Sequence, residues 1–185
     1  MNHEELIRIA LENGAAKATV IPQEKIILNA AHRDDCAKNY CGNYGRCWMC
    51  PPHVGPIDEL MAKVRTYTHG LLYQTIGEIE DSYDIEGMFE VGHTHATNGR
   101  KIRDVLTGVL PDDSLHLING GCGGCERCSI LDGEPCRTPE NAMPSMESYG
   151  VDVYNTCKTT DLKYINGQNT VTYFGIVLFS EEDNG

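Results

Sequence analysis

Eight of the nine cysteines fall into two groups whose spacing suits metal ligation. The first group reads Cys36-x4-Cys41-x5-Cys47-x2-Cys50, and the second reads Cys122-x2-Cys125-x2-Cys128-x7-Cys136. Thiolates are soft ligands that favour zinc, copper(I) and iron–sulfur clusters. Two groups of four therefore indicate two metal sites in one chain.

The second group is the more specific of the two. Three cysteines at successive x2 spacings let one short loop wrap three corners of a cubane, while Cys136 supplies the fourth ligand. Zinc sites usually draw their ligands from separated pairs. The glycines of the run Gly120–Gly124 bring bare backbone close to the metal and free N–H groups to point at sulfur. This pattern predicts a [4Fe–4S] cluster.

The first group leaves more chemistries open. Cys47-x2-Cys50 followed by Pro51 fits the end of a ferredoxin motif, a redox dithiol or a tetrahedral zinc site. The dithiol is disfavoured because irregular sequence precedes the motif and a second proline follows it. We predict a second [4Fe–4S] cluster, with each group holding its own cluster. An exchange of Cys50 with Cys136 is the main alternative, since two-cluster ferredoxins share ligands in this way.

Four further residues are candidates for the surroundings of the metal. His53 could hydrogen-bond to sulfur, carry protons or bind metal, or it could simply fix the loop. Arg46 and Arg137 flank ligand cysteines, where a guanidinium offsets negative cluster charge. Cys157 is interpreted as a buried apolar thiol, with a redox thiol or a replacement ligand as the alternative.

Three other polar residues carry no assigned chemistry. Glu147 is interpreted as a helix-capping residue or a backbone contact. His93 and His95 are two positions apart, so on a helix they point to different faces and do not share a metal. No phosphate-binding loop and no nucleophile–base set is recognisable.

The elements that must hold these residues alternate between helix and strand. Helices are predicted over 4–13, 56–64, 83–107, 145–149 and 151–158, the third of them broken or frayed around Gly92 and Gly99. Strands are predicted over 17–21, 70–76, 114–118 and 170–179, with 25–29 as a further strand or an extended arm. The fold class is α/β (α+β): one domain, 1–185, with a mixed sheet, packed helices and cysteine-rich loops at 36–53 and 120–139.

Composition limits the environment and the partners. At 185 residues and 41% hydrophobic content, the chain can build a core without disulfides. Because it shows neither a signal peptide nor an apolar run of membrane length, we expect a soluble protein in the reducing cytoplasm. The net charge of −12 disfavours nucleic acid and suits a basic redox partner protein. A homo-oligomer is compatible with the sequence.

Three motifs together resemble a family of prokaryotic proteins known chiefly as predicted metal-binding proteins of unknown function. They are Cys47-x2-Cys50-Pro51-Pro52-His53, then Cys122-x2-Cys125-x2-Cys128 with Pro135-Cys136-Arg137-x-Pro139, and finally Pro144-Ser145-Met146-Glu147-x2-Gly150-Val151-Asp152-Val153. The resemblance spans roughly residues 36–157. It implies metal binding by the eight cysteines and names no reaction.

Electron transfer through two [4Fe–4S] clusters, as a carrier or a reductase subunit, is the leading functional hypothesis. A cluster-dependent enzyme, or an activator of another metalloenzyme, is the first alternative. A structural or interaction module braced by zinc is the second. Solvent-accessible clusters would be lost in air, which suits an anaerobic host.

Overall fold

The frame of the molecule is a four-stranded sheet, seen in a computed structural model that describes residues 2–181. Its strands are β1 (Lys17–Pro22), β2 (His69–Glu78), β3 (Leu115–Leu117) and β4 (Thr170–Phe179), in the order β1-β2-β4-β3. Every ladder between these strands is antiparallel. The central position of β4 agrees with its sequence, which is apolar on both faces in its second half.

Five α-helices accompany the sheet in the described part of the chain: α1 (His3–Glu12), α2 (His32–Ala37), α3 (Ile57–Arg65), α4 (Ile85–Leu106) and α5 (Val153–Cys157). The ends of α1 show why the sequence folds locally in this way. The Asn2 side chain accepts hydrogen bonds from the first N–H groups of the helix. At the other end, the N–H of Ala15 donates to Ala10 O over 3.0 Å, and Gly14 has a φ of 100°.

The two faces of the sheet carry separate apolar clusters because side chains alternate along each strand. On one face, Tyr73 and Phe179 pack with residues of α1 and α4 such as Leu6 and Ile102. On the other face, side chains of β2 and β4 pack against α3 and against the segment around Met146. The first face is covered by helices, and the second is covered largely by turns and short segments.

Helix α4 is continuous, so the predicted break near Gly92 and Gly99 is wrong. A Cβ atom on Gly99 would lie 2.9 Å from the hydroxyl oxygen of Tyr73 and 3.2 Å from Cδ1 of Ile118. The glycine therefore allows the helix to approach the sheet closely. Its role is in tertiary packing and not in ending the helix.

The other predicted elements differ in detail from the structure. Residues 25–29 form an extended arm after a short 3-10 turn, with one isolated bridge from Leu28 to Val151. Cys36 lies in α2 and not in a loop. The segment 145–149 holds a 3-10 turn, Glu147–Tyr149. The α+β class is confirmed, while parallel pairing among the described residues is limited to a bridge between Ile118 and Ser145.

Two pairings bring the cysteine-containing segments together. At the end of β3, the N–H of Ile118 donates to Pro144 O over 3.0 Å, and the N–H of Met146 donates back to Ile118 O over 2.7 Å. These bonds close the base of the loop that carries the second cysteine group. In the other pairing, the N–H of Asn29 donates to Gly150 O over 2.7 Å and so anchors the segment that leads into α2. Over residues 2–181, no helix has the length and apolar character needed to span a membrane.

Candidate metal centre

The eight cysteines of the two groups line two neighbouring cavities. The first cavity has a volume of about 400 Å³ and is lined by Cys36, Cys41 and Cys50. The second cavity is smaller, about 40 Å³, and its wall contains Cys47, Cys122, Cys125, Cys128 and Cys136. The structure thus divides the eight cysteines three to five.

Helix α2 and the turns after it position the first cavity. The Arg33 guanidinium donates to Gly55 O over 3.0 Å and to Ser148 O over 2.9 Å, which fastens α2 to the segments on both sides. The N–H of Gly45 donates to Pro51 O over 2.8 Å and closes the turn between Cys41 and Cys50. Tyrosines 40 and 44 complete the wall.

Backbone N–H groups and one arginine of α4 position the second cavity. The N–H of Met143 donates to Sγ of Cys122 over 3.4 Å, and Nη2 of Arg100 donates to the carbonyl of the same cysteine over 2.6 Å. Gly123 has a φ of 59°, a conformation that costs glycine little. A Cβ on Gly124 would lie 3.3 Å from Sγ of Cys122. The glycines therefore let the loop fold tightly around its sulfurs.

The segment Cys47–Cys50 connects the two cavities, because its first cysteine lies in one wall and its last in the other. Both side chains are buried, each 6% exposed. The Cys50 thiol donates to Cys47 and lowers the pKa of Cys47, aided by the backbone N–H groups of Cys122 and Met49. The same hydrogen bond, together with burial, raises the pKa of Cys50. The protonation of either buried sulfur therefore influences that of the other.

The division of the cysteines does not follow the order of the sequence. Cys47 belongs to the first group but lies in the second cavity, where Cys128 is its neighbour. The exchange of Cys50 with Cys136 is not the arrangement that the structure shows: Cys50 lies with the first group and Cys136 with the second.

The candidates for the surroundings of the metal lie in different places. The exposed His53 packs its ring against Trp48 with centroids 5.3 Å apart, on the outer side of the Cys136 segment. Arg46 lines a surface depression shared with Cys47 and Cys125. Arg137 donates to Asp132 over 3.1 Å, so its charge is shared with an exposed carboxylate.

Cys157 lies apart from both cavities. It is 2% exposed within the apolar cluster behind the sheet, and its thiol donates to Leu162 O over 3.0 Å. Burial raises its pKa. This environment fits the interpretation as a buried apolar thiol.

Glu147 is the residue that sequence reasoning missed. It lines the first cavity beside Cys36, and its Oε2 is buried without a hydrogen-bond partner among the described residues. Burial raises the pKa of the carboxyl, opposed by its own N–H, that of Gly120 and the Ser145 hydroxyl. The predicted backbone contact is therefore present, but Glu147 does not cap the short turn it begins. The motif Pro144–Glu147 beside the cysteines was the available signal.

A buried histidine pair under α4 was also missed. His95 places Nδ1 2.9 Å from Oγ1 of Thr75 and Nε2 2.9 Å from Phe174 O, while His93 is exposed on the opposite side of the helix. His116 lies 2.7 Å from the hydroxyl of Tyr73. Burial lowers the pKa of His95 to about 4 and that of His116 to about 3. Both imidazoles are therefore neutral at neutral pH.

The cysteine sulfurs are not gathered around one point. Within residues 2–181, the set of three metal-ligating groups whose atoms lie within 4.8 Å of one another is His3, His69 and Glu181, and no three cysteines meet that limit. By comparison, tetrahedral zinc with bonds of about 2.3 Å holds its sulfurs about 3.8 Å apart. The described thiols thus do not stand at the spacing that a single zinc ion requires.

Two cysteine-lined cavities on an α+β fold are typical of metal-binding proteins. Comparison with protein families identifies the family: residues 19–179 match the model of the predicted metal-binding protein family DUF2284, and the chain belongs to that family. No curated protein and no solved structure matches the chain significantly.

Proposed function

We propose that the protein binds two [4Fe–4S] clusters, one in each cavity, and acts in electron transfer as a carrier or a reductase subunit. The distribution of the cysteines supports this proposal, because the eight thiols are divided between two adjacent cavities that one segment connects. The second cavity offers more than four cysteines, and the first offers three. A bound cluster would accept and release single electrons.

The donor chemistry of the cavities fits such a cluster. All nine cysteines are free thiols, which suits a reducing compartment such as the cytoplasm. Around Cys122, a backbone N–H points at sulfur and an arginine holds the carbonyl. Hydrogen bonds of this kind set the potential of a cluster.

The spacing of the thiols favours a cluster over zinc. A single zinc ion requires sulfurs about 3.8 Å apart, whereas no three cysteines in residues 2–181 lie within 4.8 Å of one another. A cubane carries its terminal ligands on four separate irons. It therefore accepts thiolates that stand further apart.

The connection between the two cavities supports a role in electron transfer. Cys47 and Cys50 belong to different cavities and lie in direct contact. The chain would therefore carry electrons between the two clusters over a short distance. The net charge of −12 suits docking to a basic partner.

Iron, acid-labile sulfide and zinc are measured on protein purified without oxygen, with EPR before and after dithionite. We expect about eight iron and eight sulfide per chain and a reversible one-electron signal. Zinc without sulfide would overturn the proposal and leave a structural module. Clusters that dithionite cannot reduce would overturn only the electron-transfer role.

A further inference from the structure

The first cavity is one thiolate short of a four-cysteine site. Cys36, Cys41 and Cys50 line it, while Cys47, the remaining cysteine of the first group, lies in the second cavity. A cubane has four irons, each of which takes one terminal ligand. The three thiols that line the first cavity therefore leave one iron of a cubane open to a different ligand.

Glu147 offers a carboxylate oxygen to the first cavity. Its Oε2 is buried and has no hydrogen-bond partner in residues 2–181, and the side chain lines the same cavity as the three cysteines. A buried acceptor without a partner costs about 1–3 kcal/mol, and more when it is charged. Native structures rarely keep such a group unless an ion or a water satisfies it.

Hydrogen bonds within the turn fix the backbone that carries Glu147. The N–H of Ser148 donates to Oγ of Ser145 over 3.0 Å, and its hydroxyl donates to Ser145 O over 2.7 Å. The N–H of Gly150 donates to Glu147 O over 3.0 Å. A ligand fixed by its supporting hydrogen bonds binds metal without further ordering.

The imidazole and the other carboxylate of the cavity, those of His32 and Asp35, already face charged side chains. His32 lies 3.8 Å from the carboxylate of Asp35 and 4.0 Å from that of Asp152. Asp35 also accepts from Lys38 over 2.7 Å. Glu147 is thus the carboxyl whose second oxygen is left for the metal.

We infer that Glu147 is the fourth ligand of the metal cluster held by Cys36, Cys41 and Cys50. The inference rests on the proposed function and refines it, since it makes one iron of one cluster chemically different from the others. The bond joins Oε2 to iron, and no electron is transferred in forming it.

The test compares four forms of the full-length protein, enriched in ⁵⁷Fe and purified without oxygen: wild type, Glu147→Gln, Glu147→Cys and Glu140→Gln. Glu140 is exposed and serves as the matched control. Mössbauer spectra report how each iron is ligated, EPR detects three-iron clusters, and circular dichroism confirms folding.

In the wild type we expect about one iron in eight to have the Mössbauer parameters of an oxygen-ligated site. Glu147→Gln should lose about one iron per chain and show a three-iron EPR signal. Glu147→Cys should restore the iron and give a fully thiolate-ligated spectrum, which keeps the test decisive if the glutamine variant does not fold. The control should match the wild type.

A wild-type spectrum with thiolate ligation alone would overturn the inference, as would a glutamine variant with unchanged iron and EPR. Either result leaves two sulfide-containing clusters in place, and the proposed function would stand. A wild-type protein with zinc and no sulfide would instead remove the proposed function itself.

Discussion

The two faces of the sheet differ in the kind of buried polar group that they carry. Under α4, both ring nitrogens of His95 lie 2.9 Å from protein oxygens, and Tyr73 and Tyr173 pack against its ring, while Nδ1 of His116 has no partner among the described residues. On the cysteine side, the buried thiols of Cys47 and Cys50 are neighbours, and one carboxylate oxygen of Glu147 has no partner in the described chain.

This difference separates a half of the molecule that rests on apolar packing from a half whose thiols and carboxylate could bind metal. The helical face has a continuous apolar cluster and regular hydrogen bonds. The cysteine side relies on turns and on two pairings, at Ile118 and at Asn29. We therefore expect the sheet and α4 to fold without metal, and the cysteine-containing loops to gain their order from it.

The largest expected effect comes from leaving each cavity short of ligands. Cys41→Ser should abolish the cluster of the first cavity, and the double variant Cys125→Ser/Cys136→Ser that of the second, where a single replacement would leave four thiols. Each form should lose about half of the iron and sulfide. Cys41 and Cys125 are exposed and Cys136 is half-buried, so the fold should survive. Iron and sulfide assays on protein purified without oxygen measure the loss.

Cys157→Ala is the matched control for these two variants. Its thiol lies in the apolar cluster and makes one hydrogen bond to Leu162 O. We expect full cluster content and a stability loss of about 1 kcal/mol. Loss of a cluster in this variant would show that the cysteine is more than a core residue.

Removal of the metal should act on one half of the molecule only. Chelation should raise amide hydrogen exchange in residues 36–53 and 120–143 by roughly two orders of magnitude. Strands β2 and β4 and helix α4 should keep their protection, because their bonds belong to the helical half. A loss of protection across the whole sheet would contradict the division into two halves.

Acid should weaken the helical half through its buried histidines. Burial holds the pKa of His95 in the folded protein at about 4, below its ordinary value of 6.5. The unfolded chain therefore binds protons first, so the contribution is complete above pH 6.5 and is lost as the pH falls towards 4. From pH 7 to pH 5 the free energy of unfolding should fall by about 2 kcal/mol for this residue. Urea unfolding at several pH values measures the change.

Two variants test the assignment of this pH dependence. His95→Gln cannot titrate, so its stability should change less between pH 7 and pH 5 than that of the wild type. His93→Gln alters an exposed histidine of the same helix and should behave as the wild type does. An equal effect from both variants would show that the buried ring is not responsible.

The smallest expected effect concerns Arg100, which connects the two halves. It belongs to α4 and donates to the carbonyl of Cys122 over 2.6 Å. Arg100→Gln should remove a charged hydrogen bond and speed iron loss to a chelator by about tenfold from the second cavity alone. Arg8→Gln, which alters an exposed ion pair with Glu12, should leave that rate unchanged.

The elements were predictable where the sequence has a clear period or an end signal. Helices α1 and α3 and strands β2 and β4 lie within a few residues of the predicted ranges because apolar residues repeat at the right spacing. The α4 break was wrong because Gly99 allows contact with Tyr73, which lies 26 residues earlier in the sequence. A tertiary requirement of this kind has no local signature.

The cysteines could be identified as the candidate site from spacing alone, but their division between cavities could not. Cys47 lies beside Cys128 because the pairings at Ile118 and Asn29 bring distant loops together. Glu147 was missed for the same reason: a glutamate at the start of a short turn fits capping, and its unpartnered oxygen is visible only in three dimensions.

The sharing of the Cys47–Cys50 segment has a consequence for assembly. Only two residues separate cysteines that line different cavities, so filling either cavity fixes part of the wall of the other. Binding of the first cluster then orders part of the chain that the second cluster also needs, so binding of the second cluster loses less conformational entropy. Protein reconstituted with half the required iron should therefore contain empty and doubly filled molecules in excess over singly filled ones, which native mass spectrometry can count.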